Sequence, residues 1–435
     1  MDILLNPAVI SIFVLCVLCL KRVNVLLAII LATIISGVLS GMSITDIMNT
    51  FISGMGGNSE TALSYILLGA FAATMAHSGF TNKVSTYITN IISNKKWILL
   101  FIIAIIAMAS QNIIPIHIAF IPIIIPPLLK IMNQLKIDRR AVACTLAFGL
   151  KMPYITIPIG FGLIFQNLIA DNLVQNGLSV LRSDIWKSTF ILGIGMIAGL
   201  LVALLISYNK PRVYNDVPLT ISVSNDASCN KYTIWVVAAA AILTFLVQLF
   251  TQSLPLGALV GLGVIFTFKV IPKNKMDNMV NEGIYLMGYV AFVMLVAAGF
   301  AAVLKDSGSI ETLVNTAVAL LPSSITITSL IILLLGLLIT IGIGTSFGTI
   351  PILAALFVPI CIKQGFNPAQ IVVLIAAAAA LGDAGSPASD TTLGPTSGLN
   401  ADGQHDHVYD TCIPTFLHYN IALILFAILG IWLLT

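Results

Sequence analysis

Residues 187–206 and 414–434 are long apolar runs, and runs 5–20 and 24–39 repeat the pattern near the start of the chain. About 20 apolar residues cross a hydrocarbon core of about 30 Å as a helix. No water is there to pair with backbone N–H and C=O groups, so a spanning segment satisfies them within its own helix. The rest of the chain suits the same solvent. Apolar residues make up 58% and charged residues 9%, where a soluble domain carries about 25% charged. The fold class expected is an all-α polytopic membrane protein. The first run precedes its basic pair, Lys21-Arg22. A cleavable leader has the charges first, so none is expected. Six cysteines show neither metal spacing nor a disulfide framework and read as small core residues.

Helices are expected at about 5–20, 24–42, 61–80, 97–132, 141–170 and 187–207, then at about 233–250, 255–272, 284–304, 323–363, 369–398 and 414–434. Between the two sets lies a polar stretch, 208–231, read as a cytoplasmic linker. It separates a first membrane repeat, 1–207, from a second, inverted one, 232–435. Short strings recur in order. Phe71-Ala72-Ala73 returns as Phe300-Ala301-Ala302, Ile114-Pro115-Ile116 as Ile350-Pro351-Ile352, and Pro153 and Gly160 as Pro387 and Gly394.

Two segments per half break the simple pattern. Residues 97–132 and 323–363 are too long for one crossing. They are interrupted at Ser110-Gln111-Asn112 and at Gly342 to Thr349, so each reads as a re-entrant hairpin with a polar tip. Segments 141–170 and 369–398 carry Gly149-Leu150-Lys151-Met152-Pro153 and Gly382-Asp383-Ala384-Gly385-Ser386-Pro387, and read as helices broken at those places. The count is about 10 transmembrane helices plus two hairpins. Placing Lys21-Arg22 inside puts 15 of the 20 basic residues on the cytoplasmic side, as the positive-inside rule asks, in the cell inner membrane.

Ionisable groups within a bilayer are costly and mark function. Lys151 and Asp383 lie at the two expected breaks, with Asp390 seven residues on. Thr345, Ser346 and Thr349 offer hydroxyls at the second hairpin tip, and Ser386, Ser389, Thr391 and Thr392 add more around the carboxylates. Hard cations take oxygen ligands, so Asp383, Ser386, Asp390, Thr391, Thr345, Ser346 and Thr349 are the cation- or proton-binding candidates. Lys151, with Gln111 and Asn112 of the first hairpin, is a candidate substrate contact or stand-in cation. Lys151 is expected to face the interior and to meet Asp383 or Asp390. His405-Asp406-His407 reads as a solvated loop. There is no H-E-x-x-H and no nucleotide loop, so an intramembrane enzyme is not expected.

The string Gly382-Asp383-x-x-Ser386-Pro387-x-Ser389-Asp390-Thr391-Thr392, followed by Asp406-His407-Val408 and Pro414, resembles the signature of the NhaC-type Na⁺/H⁺ antiporter family. The resemblance implies inverted repeats, hairpins meeting at the midplane and a scaffold that often forms a homodimer. It implies ion-site roles for Asp383, Ser386, Asp390 and Thr391. Lys151 matches no antiporter motif. The expected function is ion-coupled secondary transport by alternating access, first as Na⁺/H⁺ antiport. The alternative is a Na⁺- or H⁺-coupled amino-acid permease for a cationic amino acid or histidine. Partners are then a small ion or amino-acid substrate and the lipid bilayer, with no nucleic acid and no cofactor beyond the transported Na⁺ or H⁺.

Overall fold

The structure is a computed structural model and describes residues 5–78, 95–112, 121–215, 217, 231–251, 253–318 and 324–434. Every regular element among these residues is helical. Those before the linker are α1 (Pro7–Leu20), α2 (Val25–Leu39), α3 (Ile44–Met55), α4 (Ser59–His77), α5 (Lys96–Asn112), α6 (Ile121–Gln134), α7 (Arg139–Thr156), α8 (Phe161–Gln175) and α9 (Ile185–Val202). After it come α10 (Lys231–Thr251), α11 (Leu254–Thr267), α12 (Met276–Asp306), α13 (Ser309–Val318), α14 (Ile325–Ile343), α15 (Ser346–Lys363), α16 (Pro368–Ala380) and α17 (Asp390–Leu399). The last, α18 (His407–Leu433), opens with π-helical turns.

Local chemistry sets many of these starts. Asn6, Asn24, Ser43 and Asp138 each accept a backbone N–H of the first helical turn. Asn367 and Gln370 form a reciprocal capping box ahead of α16. Among the described residues five helices are long and apolar enough to cross a membrane: Arg182–Ser207, Met287–Asp306, Ile325–Ile343, Ser346–Lys363 and His407–Leu433. The bent pair α7–α8 makes a sixth, and shorter apolar helices fill out a multi-pass bundle. Two elements were not expected: α3 is amphipathic, burying Ile47 and Phe51, and lies against α12, and α13 is a short helix that buries Leu313 and Val314.

Two sets of helices pack more within themselves than with each other. In one, α12 runs along α2, α3 and α4, with α10 and α11 on the far side of α4. Small residues make the contact close. A Cβ on Gly69 would lie 2.7 Å from the Gly283 carbonyl oxygen, so neither position tolerates a side chain without separating α4 from α12. In the other set, α7 packs on α5, α9 and α17, while α16 packs on α14, α15 and α18. The seam between the sets runs where α12 meets α14 and α17.

The expected breaks are partly relocated. The second hairpin turns at Gly344-Thr345, within the expected stretch. The second broken helix is open over 381–389, as expected. The first is not broken at 149–153. Helix α7 continues through Lys151 and Pro153 to Thr156, and the chain opens at 157–160 with a 48° bend before α8. The reason is Pro158. Its ring disfavours helical backbone in the preceding residue, and Ile157 is extended at φ −102°, ψ 117°. Of the first hairpin, α5 ends with Gln111 and Asn112; residues 113–120 and those two side chains lie outside the described residues.

Candidate ion site

The second hairpin and the second broken helix meet tip to break. Gly344 takes a left-handed φ of 76° to end α14, and a Cβ there would sit 3.3 Å from the Ala388 carbonyl oxygen. Gly382 opens the loop at φ 81°; its Cβ would be 2.5 Å from the Leu337 carbonyl oxygen. Glycine alone serves both places. Asn420 of α18 then fixes the loop, accepting the Gly382 N–H at 3.0 Å and donating to the Ala384 carbonyl at 2.8 Å. The opening lies between the C-terminal end of α16, where backbone carbonyls are exposed, and the N-terminal end of α17, where N–H groups are.

Asp383 hangs in this opening and is 4% exposed. Its Oδ2 receives Lys151 Nζ at 2.8 Å, Ser346 Oγ at 2.7 Å and Tyr154 Oη at 3.0 Å. Its Oδ1 receives the Ser389 hydroxyl and, at 3.5 Å, that of Thr391. Lys151 is fully buried, with Nζ also 3.1 Å from Tyr154 Oη and 3.5 Å from Ser346 Oγ. An ammonium, a carboxylate and four hydroxyls thus form one compact buried network. Phe165 and Phe347 pack edge-on or tilted against the Tyr154 ring and seal one side.

The other sequence candidates are placed as follows. The Ser386 hydroxyl donates to the Ile341 carbonyl at 3.1 Å, tying the loop to α14. Thr349 donates to the Thr345 carbonyl at 2.6 Å, a bond within its own helix. Thr345 precedes α15 without a side-chain cap bond. Asp390 is reached through Ser389, whose hydroxyl is 3.4 Å from Asp390 Oδ1; its Oδ2 accepts from Tyr65 of α4 at 2.7 Å. Tyr154, Tyr65 and Asn420 were not expected here. Tyr154 was within reach of sequence reasoning, three residues after Lys151 and therefore on the same helix face. Tyr65 and Asn420 come from distant helices and gave no signal.

The spacing Gly344-x-Ser346-x-Gly348 is that of a serine nucleophile elbow, which needs a strand before it, a helix after it and a histidine base. Here helices flank the turn on both sides. Among the described residues no imidazole is within hydrogen-bond reach of Ser346. Nor do three His, Cys, Asp or Glu side chains converge as a metal set.

A second polar cluster lies at the ends of α7 and α17. Arg139 is fully buried and makes a two-pronged pair with Asp402, at 2.6 and 2.5 Å. It also donates to the Leu399 carbonyl and to Asn133, and lies over the Tyr214 ring. Burial pushes the Asp402 carboxyl up, but the bonds and charge of Arg139 outweigh it and hold the group below the usual carboxylate range. The expected solvated loop is overturned. His405 is 3% exposed against Thr411, and burial drives its pKa below the usual histidine range. His407 bridges Thr396, at 2.8 Å, to the Pro387 carbonyl, at 2.9 Å. The polar loop folds back onto α17 and α18 because Asp406 accepts the N–H groups of Val408 and Tyr409 and caps the final helix. Beside it, a cavity of about 860 Å³ is lined by Arg22, Tyr285, Tyr289, Ser397, Asn400 and Asp406 among others.

A model of the Na⁺/H⁺ antiporter family matches residues 145–431, and a second Na⁺-H⁺ antiporter family model matches residues 6–92. The first match takes in Lys151, the α14–α15 tip and the opening at 381–389. An uncharacterised membrane protein of Vibrio parahaemolyticus is 46% identical over 97% of this chain and 98% of its own length. A Bacillus subtilis protein, YuiF, provisionally named as an amino acid transporter, is 42% identical over 97% and 98%. Among solved structures, the YdaH transporter of Alcanivorax borkumensis aligns with a TM-score of 0.46 and 13% identity, covering 90% of this chain and 88% of that one. With a family model matched across most of the chain and relatives similar from end to end, this multi-pass membrane protein belongs to the Na⁺/H⁺ antiporter family.

Proposed function

We propose that the protein is an ion-coupled secondary transporter in which the Lys151 ammonium holds the place of the transported cation on Asp383. The observation that carries this is the fully buried Lys151–Asp383 pair at 2.8 Å, set among hydroxyl oxygens. A buried pair of this kind adds little net stability over apolar residues of the same shape, so its presence here favours a working role. When Na⁺ enters, the carboxylate and the Ser346, Ser389, Thr391 and Tyr154 hydroxyls supply hard oxygen ligands, and Lys151 gives up a proton to the side from which Na⁺ came and withdraws as a neutral amine. When Na⁺ leaves on the other side, Lys151 takes up a proton there and its ammonium neutralises Asp383 again. A site that is neutral in either case crosses a low-dielectric barrier at least cost. This is Na⁺/H⁺ antiport, with Asp383, Ser346, Ser389 and Thr391 as ligands and Lys151 as competitor.

In this reading the chain sits in the cell inner membrane with Lys21, Arg22, Arg139, Arg140 and Arg212 facing the cytoplasm. Residues 1–207 and 232–435 act as inverted repeats about the 208–231 linker. A second reading, coupled uptake of an amino acid, is favoured by the cavity of about 860 Å³, a volume that suits a small organic solute, and by the name given to the Bacillus relative.

The test is exchange in proteoliposomes under imposed pH and Na⁺ gradients, with labelled amino acids in parallel. Na⁺-dependent proton movement in the wild type, lost in the Lys151→Met/Asp383→Asn double variant, supports antiport. Proton movement that needs an added amino acid selects the second reading. Exchange that survives in the double variant contradicts the site.

A further inference from the structure

The cavity and Asp390 lie along one helix face. Leu393 and Ser397 of α17 and Asn400, which caps its end, line the cavity, and Asp390 precedes them at the same three- and four-residue spacing, one turn further in. The opposite wall is α12, through Tyr285, Tyr289 and Val290. Helix α12 packs along α4, and α4 carries Tyr65, 2% exposed, whose hydroxyl donates to Asp390 Oδ2 at 2.7 Å. Beyond Asp390 the Ser389 hydroxyl leads to Asp383. Oxygen groups therefore run from the basic face of the molecule to the buried pair, and one phenol from the other set of helices holds the carboxylate midway.

We propose that Tyr65 is the inner gate of an access route from this cavity to the ion site, and that Asp390 is the first carboxylate a small monovalent cation or proton meets on passing inward beyond the cavity, whose own wall carries Asp402 and Asp406. The route rests on the transport reading above, but its gate is tested without knowing the cargo. A cation arriving at Asp390 replaces the phenol hydrogen bond. The same event breaks a contact joining α4 to α17 across the seam, so arrival of the ion loosens the two helix sets from each other. A proton weakens the same bond, because a neutral carboxyl is a poorer acceptor than a carboxylate. Tyr65 is a positioning residue here: it acts on the ion through Asp390.

The experiment is thiol modification in inside-out membrane vesicles with a cationic, impermeant methanethiosulfonate reagent, each modified peptide being quantified by mass spectrometry. Leu393→Cys reports on the cavity and Ser389→Cys on the space behind Asp390; Ala388→Cys is a second reporter behind the gate should Ser389→Cys fail to accumulate. Each is compared with and without Tyr65→Phe, which keeps the ring and removes the hydroxyl. The expected result is rapid modification of Leu393→Cys in both backgrounds. Modification behind the gate is expected to be slow with Tyr65 present and faster by about tenfold to a hundredfold in Tyr65→Phe, the factor that a hydrogen bond to a charged group is worth. Equal rates behind the gate in the two backgrounds, or a Leu393→Cys that the reagent does not reach from this side, would overturn the gate. Absence of Na⁺/H⁺ exchange in the wild-type protein, with these rates as expected, would instead overturn antiport and leave the gate standing.

Discussion

Between α7 and α8 the chain leaves the helix for four residues, 157–160, whereas between α16 and α17 it leaves it for nine, 381–389. The short opening follows from one proline and places no side chain on the ion site. Lys151 instead projects from an unbroken turn of α7, one turn before the bend. The long opening carries Asp383, Ser386 and Ser389, with Asp390 and Thr391 starting the helix beyond it. One half thus supplies a charge on a stiff helix, and the other a loop of oxygen groups tied to α18 and α14. In the transport reading proposed above, that division suits a competitor on one side and oxygen ligands for a guest on the other.

The comparison breaks most visibly if the two charges are removed one at a time. Asp383→Asn leaves the Lys151 ammonium buried opposite a neutral amide, and losing one partner of a buried pair costs about 3–5 kcal/mol. The single variant is expected to lose both exchange and thermal stability in detergent. Adding Lys151→Met should restore the stability without restoring exchange. A single variant as stable as the wild type would mean that Lys151 finds other compensation and that the pair is not the core of the site.

The long opening is sharpened by its glycine. Gly382→Ala forces a side chain into a left-handed backbone and against the Leu337 carbonyl. The backbone strain alone costs about 1–2 kcal/mol, and the contact adds to it. Melting temperature should fall, and Na⁺ affinity should fall with it because the Asp383 carboxylate is displaced. An exchange rate and melting temperature like those of the wild type would show that the loop is not held as described.

A test by pH lies outside the membrane-spanning segments, at Asp402, the partner of the buried Arg139. Asp402 is held below the usual carboxylate range in the folded protein. Its contribution to stability is therefore present above the unfolded value of about 3.9 and is lost as pH falls through the lower folded value. Asp402→Asn should lower the melting temperature at neutral pH and flatten the decline on the acid side. An unchanged acid limb would show that Asp402 does not carry it.

Much of this was legible in the sequence because the bilayer restricts what a chain can do. Apolar run length gave the helices, and the Gly342–Thr349 and Gly382–Pro387 strings located the hairpin turn and the second opening. Lys151 and Asp383 stood out since buried charge needs a partner, and each is the other's. The first opening was misplaced because Gly149 and Pro153 suggested a break, yet α7 passes through both. Pro158, whose effect falls on Ile157, marks the true end. The histidine loop looked solvated because its composition is polar; its burial depends on Thr396, Thr411 and the Pro387 carbonyl, contacts that only the folded chain creates. Tyr65 on Asp390, across 325 positions of sequence, is of the same kind.

The central claim is that the Lys151 ammonium competes with the transported cation for Asp383, and Na⁺ binding to Lys151→Met tests it most directly. Binding is read as the rise of melting temperature with Na⁺ concentration at fixed alkaline pH, since a ligand that binds only the folded state stabilises it by mass action. With the competitor gone, the half-saturating Na⁺ concentration should fall by about tenfold or more, the scale of a charge-assisted hydrogen bond no longer displaced. In the Lys151→Met/Asp383→Asn double variant the Na⁺ response should vanish. A Lys151→Met protein whose Na⁺ dependence matches that of the wild type would contradict the account.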